Sequence, residues 1–216
     1  MSLSFFIEYF DKSPVTFVLS ILVFLFTLLS FWKKKLVFIL ILHPFSVIHN
    51  REYYRILTAD LVNADLMHLL LNEFMLYVFC SDLEETLRKN SAYGSQQFFA
   101  IYLFSLLFAS AVVIARHFRD FDYSTTGTSG SIMGCMFGFM LMDPNYIVYN
   151  FTEGSGIKAI YGGLFYIVML IGYQRKKGAS LVNHEYHFYG ALGGLMMTIV
   201  LHPEILTGIR GLAPYP

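Results

Sequence analysis

The composition of this 216-residue chain excludes an ordinary water-soluble domain. Apolar residues make up 56% of it and charged residues only 14%, whereas soluble domains carry about 25% charged residues. The 15 basic and 15 acidic side chains cancel, so charge gives no reason to expect a nucleic-acid partner. Both cysteines, Cys80 and Cys135, lie inside apolar stretches, which excludes a secreted disulfide scaffold. The composition predicts a multi-pass membrane protein.

The apolar runs predict an all-α bundle of six transmembrane helices, forming one domain over residues 1–216. The first run lies between Lys12 and a lysine triplet, and its length suits the roughly 30 Å hydrocarbon core. No small-residue cleavage site follows it, which argues against a removed signal peptide. The next run, 36–48, is short and contains Pro44, so it is predicted to be a partly membrane-embedded loop. The predicted spans are 14–32, 64–83, 97–115, 128–142, 157–173 and 184–201.

Ser129 lies where the fourth predicted span begins. Gly130, Gly134 and Gly138 follow it at every fourth residue, and such a stripe lets a second helix approach closely. A helix N-terminus also offers free backbone N–H groups and a partial positive charge. Ser129 is therefore a candidate nucleophile beside an anion site. The alternative is that it only caps the helix.

His187 gives the sixth predicted span a matching pattern. Gly190 and Gly194 follow it at spacings that place all three residues on one helical face. If the glycine faces of the fourth and sixth spans meet, Ser129 and His187 become neighbours. By itself, His187 could equally be a hydrogen-bonded structural residue.

His68 and Asn72 lie four residues apart on the second predicted span and so share a face. Charged groups at membrane depth cost at least about 2.5 kcal/mol, and polar side chains there usually face the bundle interior. The two residues either hold helices together or donate hydrogen bonds to an oxyanion near Ser129.

A zinc site is the alternative chemistry that the sequence raises. His184-Glu185-Tyr186-His187 resembles a metalloprotease helix, but its histidines are three residues apart rather than four. The spacing that holds a metal and a general base on one helix is therefore missing. We predict no metal site and no cofactor.

Taken in order along the chain, these motifs resemble those of the rhomboid family of intramembrane serine proteases. Tyr54-Arg55 followed by Thr58 is similar to the Trp-Arg-x-x-Thr stretch of the family's first loop. The other matching segments are His68-Leu-Leu-Leu-Asn72, Glu84 at the end of the second helix, Gly127-Thr-Ser129-Gly130, and His187-Phe-Tyr-Gly190-Ala-Leu-Gly-Gly194.

The resemblance implies a role for each matching residue. Ser129 would be the nucleophile and His187 its general base and acid, without an orienting carboxylate. His68, Asn72 and the Ser129 backbone N–H would form the oxyanion hole. Substrates would be transmembrane proteins cut within the lipid bilayer, and the protein would lie in a bacterial inner (plasma) membrane. Structural roles in helix packing or in the first loop would fall to Gly127, Gly130, Gly134, Gly190, Gly194, Tyr54, Arg55 and Glu84.

The chain departs from the family pattern in the first loop. Tyr54 stands where the family usually has Trp, and Ala59 and Asn63 stand where histidines are frequent. We expect these departures to affect the rigidity and hydrogen bonding of the loop rather than the chemistry of the site. Two other functions stay open: a catalytically silent relative that binds membrane helices, and a transporter or channel.

The membrane orientation is ambiguous from charge. With a cytoplasmic N-terminus, more Lys and Arg residues fall on the active-site side than on the cytoplasmic side, against the usual bias. The family orientation is retained as the expectation, because the long first loop, which carries half of the basic residues on that side, weakens the signal.

Overall fold

The structure of the protein, a computed structural model, is mostly helical. The helices that it describes are α1 (Leu3–Lys12), α2 (Pro14–Trp32), α3 (Lys35–Leu40), α4 (Pro44–His49), α5 (Arg55–Thr58), α6 (Leu66–Met75), α7 (Ser81–Asn90), α8 (Gly94–His117), α9 (Ser129–Met142) and α10 (His184–Leu201). The structure describes residues 3–143, 145–152, 155–158, 161, 162, 164, 165, 168 and 184–206.

Three of the described helical segments are long and apolar enough to cross a membrane: Pro14–Trp32, Leu66–Asn90 and Gly94–His117. The second consists of α6 and α7 joined through a π-helical turn, Leu76–Cys80. The helix extends beyond residue 83, where the second predicted span ends, to Asn90. It continues because its charged last turns are paired: Lys12 of α1 donates to Asp82 at 2.5 Å, and Glu84 is bonded by α2 and α8.

The predicted boundaries of the other helices vary in accuracy. Those of α2 and α10 agree with the prediction, α9 starts one residue later, and α8 is longer than predicted at both ends. α9 is apolar but has only 14 residues.

The all-α prediction needs one correction, a β-hairpin after α9. Strands β1 (Ile147–Thr152) and β2 (Ser155–Lys158) pair antiparallel. Strand β2 includes the first two residues of the fifth predicted span, 157–173. Val148, Tyr149 and Ile157 favour extended structure, and Gly156 disfavours a helix. Residues 161, 162, 164, 165 and 168 are helical, and the rest of that span lies outside the described residues.

The first loop is built from short helices rather than one crossing. An extended turn, residues 41–43, separates α3 from α4, and Pro44 is the first residue of α4. Leu42 in that turn exchanges two backbone hydrogen bonds of 3.0 Å with Thr125, just before α9. The loop is therefore fixed to the segment that leads into the nucleophile candidate.

The centre of the molecule is the packing of α9 against α8 and α10. Most residues of α9 are buried, whereas many large apolar side chains of α2 are exposed, as lipid-facing residues would be. The buried core around α9 consists largely of Ile132, Met133, Met136, Phe139, Leu83, Leu87, Phe98 and Ile101.

Candidate active site

Ser129 and His187 are direct neighbours in the structure. Ser129 Oγ lies 2.6 Å from His187 Nε2, and the two residues are 1% and 5% exposed. Ser129 is the first residue of α9, with Thr128 in the capping position and making no side-chain cap. The reading of Ser129 as a helix cap was therefore wrong, because its hydroxyl contacts the imidazole instead.

The glycines of α9 and α10 make this contact possible. A methyl group on Gly190 would overlap the backbone of Gly130, and one on Gly194 would overlap the backbone of Gly134. The helices touch through their main chains at these points, as small-residue stripes allow. The stripe continues at Gly138, where a methyl group would meet Thr198.

His68 and Asn72 are both fully buried on one side of α6. Asp65 begins the helix by accepting a 3.0 Å hydrogen bond from the backbone N–H of His68. The His68 ring packs against Gly127, where an added Cβ would lie 2.5 Å from Cε1 and 3.2 Å from Nε2. Gly127 also has a φ of 106°, which side chains disfavour. The imidazole thus lies against the backbone two residues before Ser129.

Asn72 is held by a residue of the first loop. Its side-chain nitrogen donates to Asn63 Oδ1 at 2.6 Å. The Asn63 nitrogen in turn donates to Thr27 Oγ1 of α2 at 3.2 Å. The orientation of the Asn72 amide is therefore set from outside its own helix.

Asp60 is a second buried group of the loop that contacts α9. Its carboxylate accepts from the Tyr102 hydroxyl at 2.5 Å and from the Ser131 hydroxyl at 2.8 Å. Its backbone oxygen accepts from Thr128 Oγ1 at 2.8 Å. Two of these donors, Thr128 and Ser131, lie on either side of Ser129 in sequence, so Asp60 holds the first turn of α9.

Burial raises the pKa of Asp60 from its ordinary 3.8 to about 6, and the hydrogen bonds from Tyr102 and Ser131 partly oppose this rise. The rise means that the interior favours the neutral acid. A buried carboxylate therefore lowers the stability of the folded protein at neutral pH. The bonds that Asp60 accepts from Thr128 and Ser131 hold the first turn of α9.

The predicted loop residues Tyr54 and Arg55 make contacts within the first loop. Arg55 is buried and donates to the carbonyl oxygens of Phe38 at 2.7 Å and Ile41 at 3.0 Å. Its side chain also pairs with Glu52, and its guanidinium lies 5.6 Å from the centroid of the exposed Tyr54 ring. These contacts tie α3, α5 and the turn between them into one unit.

Glu84 lies at the other end of the α6–α7 rod. Its carboxylate accepts from the backbone N–H groups of Val15 at 3.1 Å and Thr16 at 2.8 Å. It also accepts from the hydroxyls of Thr16 at 2.8 Å and Ser95 at 2.7 Å. One fully buried carboxylate thereby joins the N-termini of α2 and α8 to α7.

The start of α10 is anchored by charge. Glu185 accepts from His117 Nε2 at 2.8 Å and from Arg116 Nε at 2.5 Å, both at the end of α8. His184 is exposed. The segment that resembled a metalloprotease helix thus uses its glutamate to join α10 to α8.

Asp60, Ser131 and Glu185 were not identified as site residues from the sequence. Asp60 carries a detectable signal, a lone acid within the apolar stretch Ala59–Asp60–Leu61–Val62. Ser131 and Glu185 carry none, because a serine near a helix start and a glutamate near a helix end are ordinary.

The long apolar helices and the buried serine–histidine pair place the protein in the class of helical integral membrane proteins that contain such a pair. The Rhomboid domain model matches residues 50–204, which is well over half of the chain, and the chain belongs to the rhomboid family. It is also similar to a Bacillus subtilis (strain 168) protein named "Putative rhomboid protease YdcA". The two share 25% identity over 154 residues, which cover 70% of this chain and 68% of that protein.

Proposed function

We propose that this protein is an intramembrane serine endopeptidase that hydrolyses peptide bonds in or near the transmembrane segments of membrane-protein substrates. The observation that carries the proposal is the 2.6 Å approach of Ser129 Oγ to His187 Nε2. Membership of the rhomboid family and the name of the Bacillus relative support it. The protein would cross a bacterial plasma membrane six times.

In the proposed mechanism, the Ser129 hydroxyl donates to a neutral His187 imidazole. The imidazole accepts the proton as the serine oxygen attacks the substrate's amide carbonyl. The imidazolium then protonates the leaving amine, and a water molecule, deprotonated by His187, hydrolyses the acyl-enzyme. Both residues are buried, and in the proposed dyad this burial takes the place of an orienting carboxylate by restricting the motion of the two side chains.

The negative charge of the tetrahedral intermediate needs hydrogen-bond donors. His68, Asn72 and the backbone N–H of Ser129 are the proposed donors. The packing of His68 against Gly127 supports this assignment, since it brings the ring to the segment that leads into Ser129. Each such donor is typically worth about 10²–10³ in rate.

The substrate must expose an amide that an intact helix hides. Helical carbonyls are hydrogen-bonded and wrapped by side chains, so the proposed substrates are transmembrane segments that unwind locally at Gly, Ala or other small residues. No cofactor is part of the mechanism.

The test is cleavage of a fusion protein with a single Gly- and Ala-containing transmembrane helix, using the purified full chain in liposomes. Ser129→Ala and His187→Ala should each abolish cleavage and leave thermal stability near that of the wild type. Ser91→Ala, at the opposite end of the bundle between α7 and α8, is the matched control and should cleave normally.

A fluorophosphonate probe separates this proposal from the other two functions. It should label the wild type and not Ser129→Ala. A protein that retains the helix substrate without labelling or cleavage would be a silent binding relative. Cleavage by Ser129→Ala at the wild-type rate would refute the dyad.

A further inference from the structure

Beside the proposed oxyanion hole, a chain of side-chain hydrogen bonds connects three segments of the protein. Thr27 lies on α2, Asn63 follows the 3₁₀ turn Ala59–Leu61, and Asn72 lies on α6. All three residues are fully buried. They are joined side chain to side chain, by a 2.6 Å bond between the two asparagines and a 3.2 Å bond to the threonine hydroxyl.

The direction of each bond follows from the partners of Thr27. Its hydroxyl donates to the Leu61 carbonyl oxygen at 3.3 Å, so Thr27 Oγ1 accepts from the Asn63 side chain. Asn63 offers its carbonyl oxygen to Asn72 and its amide nitrogen to Thr27. The backbone N–H of Asn63 also donates to Thr27 Oγ1 at 3.2 Å. With the nitrogen engaged by Thr27, the Asn63 oxygen has to face Asn72, and this selects the nitrogen end of the Asn72 amide to face it.

Asn63 also borders the space beside the nucleophile. A Cβ on Gly127 would lie 3.4 Å from Asn63 Oδ1 and 3.2 Å from His68 Nε2. The Asn63 oxygen, the His68 ring and the backbone leading to Ser129 therefore surround one small region. The bond that orients Asn72 is made at the edge of that region.

We propose that Asn63 is a positioning residue for oxyanion stabilisation, which fixes the Asn72 amide so that its nitrogen can donate to the tetrahedral intermediate. A planar amide with one N–H held by Asn63 has the direction of its second N–H determined. Thr27 completes the arrangement by holding Asn63. This inference rests on the proposed function, since it concerns the same intermediate.

The positioning role predicts a split between kinetic constants. Asn63→Ala removes the bond from Asn72 to Asn63 but leaves the surfaces that bind a substrate helix. We expect kcat to fall about 10- to 100-fold, up to the lower end of the range for complete loss of one oxyanion donor, because Asn72 is misplaced rather than removed. KM should stay within about twofold because the lost interaction acts only in the transition state. Asn90→Ala removes the same group from an exposed site at the far end of α7 and should leave both constants unchanged.

A double-mutant cycle distinguishes positioning from general destabilisation. If Asn63 acts through Asn72, Asn63→Ala combined with Asn72→Ala should be no slower than Asn72→Ala alone. Multiplied effects would overturn the inference. A kcat of Asn63→Ala within twofold of wild type would overturn it as well.

Two further variants keep the test decisive if Asn63→Ala fails to assemble. Asn63→His retains one nitrogen to accept from Asn72 and one to donate to Thr27, so it should recover at least a third of wild-type kcat. Thr27→Val keeps the volume of Thr27 but removes its hydroxyl, and it should lower kcat several-fold at constant KM. Wild-type kcat in Thr27→Val together with an inactive, folded Asn63→His would reject the inference.

Failure of this inference is separable from failure of the proposed function. Cleavage by Ser129→Ala would remove the serine mechanism itself. Cleavage that depends on Ser129 but is unaffected by Asn63→Ala would leave the mechanism intact and remove only the positioning role.

Discussion

Replacing Asp60 by Asn should make the protein more stable at neutral pH and nearly unchanged in stability at acidic pH. The carboxyl group is buried under α9, and burial raises its pKa from 3.8 to about 6. Such a group stabilises the folded state fully only below its unfolded pKa of about 4, and that contribution is lost as the pH rises through about 6. The folded protein therefore carries a buried anion at pH 8.

The size of the effect follows from the rise in pKa. A rise of about two units, at about 1.4 kcal/mol per unit, corresponds to about 3 kcal/mol of folding free energy at pH 8. An amide mimics the neutral acid, accepting from one of Tyr102 and Ser131 and donating to the other. Less favourable hydrogen-bond geometry would reduce the gain, so about 1–3 kcal/mol is expected.

Thermal denaturation of both proteins in the same detergent at pH 4 and pH 8 measures this difference. Among the described residues, the side chains that bond to Asp60 or interact with it electrostatically are those of Tyr102, Ser131, Tyr186 and Cys135. None of them is ordinarily charged below about pH 8, and both proteins share every other ionisable group. An equal stability difference at both pH values, or a less stable Asn variant at pH 8, would refute the argument from burial.

Two more variants test the packing of the bundle. Gly190→Ala should lower both activity and stability, the latter by about 1–3 kcal/mol, because the new methyl group overlaps the Gly130 backbone. Gly193→Ala is its control, with a milder clash: the methyl group would face α8, at 3.1 Å from Phe108 Cβ and 3.2 Å from Ser105 Cα. It should lose less activity than Gly190→Ala, and equal activity of the two would contradict the close α9–α10 contact. Glu84→Gln should lower the melting temperature and leave kcat of the folded protein unchanged, because its bonds to α2 and α8 lie far from Ser129. A reduced kcat at an unchanged melting temperature would contradict that structural role.

The sequence predicted most reliably those features that depend on helical periodicity. The glycine spacing on the fourth and sixth spans indicated a close helix pair, and in the structure the main chains of α9 and α10 touch at Gly130 and Gly190. The boundaries of α10 were predicted because apolar residues fill the span and His202-Pro203 follows it. Periodicity is a local property, and these features needed only local information.

The errors arose where distant contacts decide the structure. The charged residues of α7 resemble a loop in sequence, but they remain helical because Lys12 and the N-terminus of α2 supply partners. The same holds for Asp60 and Asn63, whose partners lie on α8, α9, α6 and α2. A role that depends on what folds against a residue cannot be read from its neighbours in sequence.

The first loop emerges as the element that aligns both halves of the proposed site. Within five residues it supplies Asp60, which holds the first turn of α9, and Asn63, which holds Asn72 of α6. A backbone bond also fixes the loop to the segment before α9, since the Gly127 N–H donates to the carbonyl oxygen of Ala59 at 3.0 Å. The two helices could otherwise shift relative to each other without losing their own hydrogen bonds. Because one short segment binds both helices, the loop sets the distance between Ser129 and the proposed oxyanion donors His68 and Asn72. Substitutions in the loop should therefore affect the proposed activity more than their distance from Ser129 suggests.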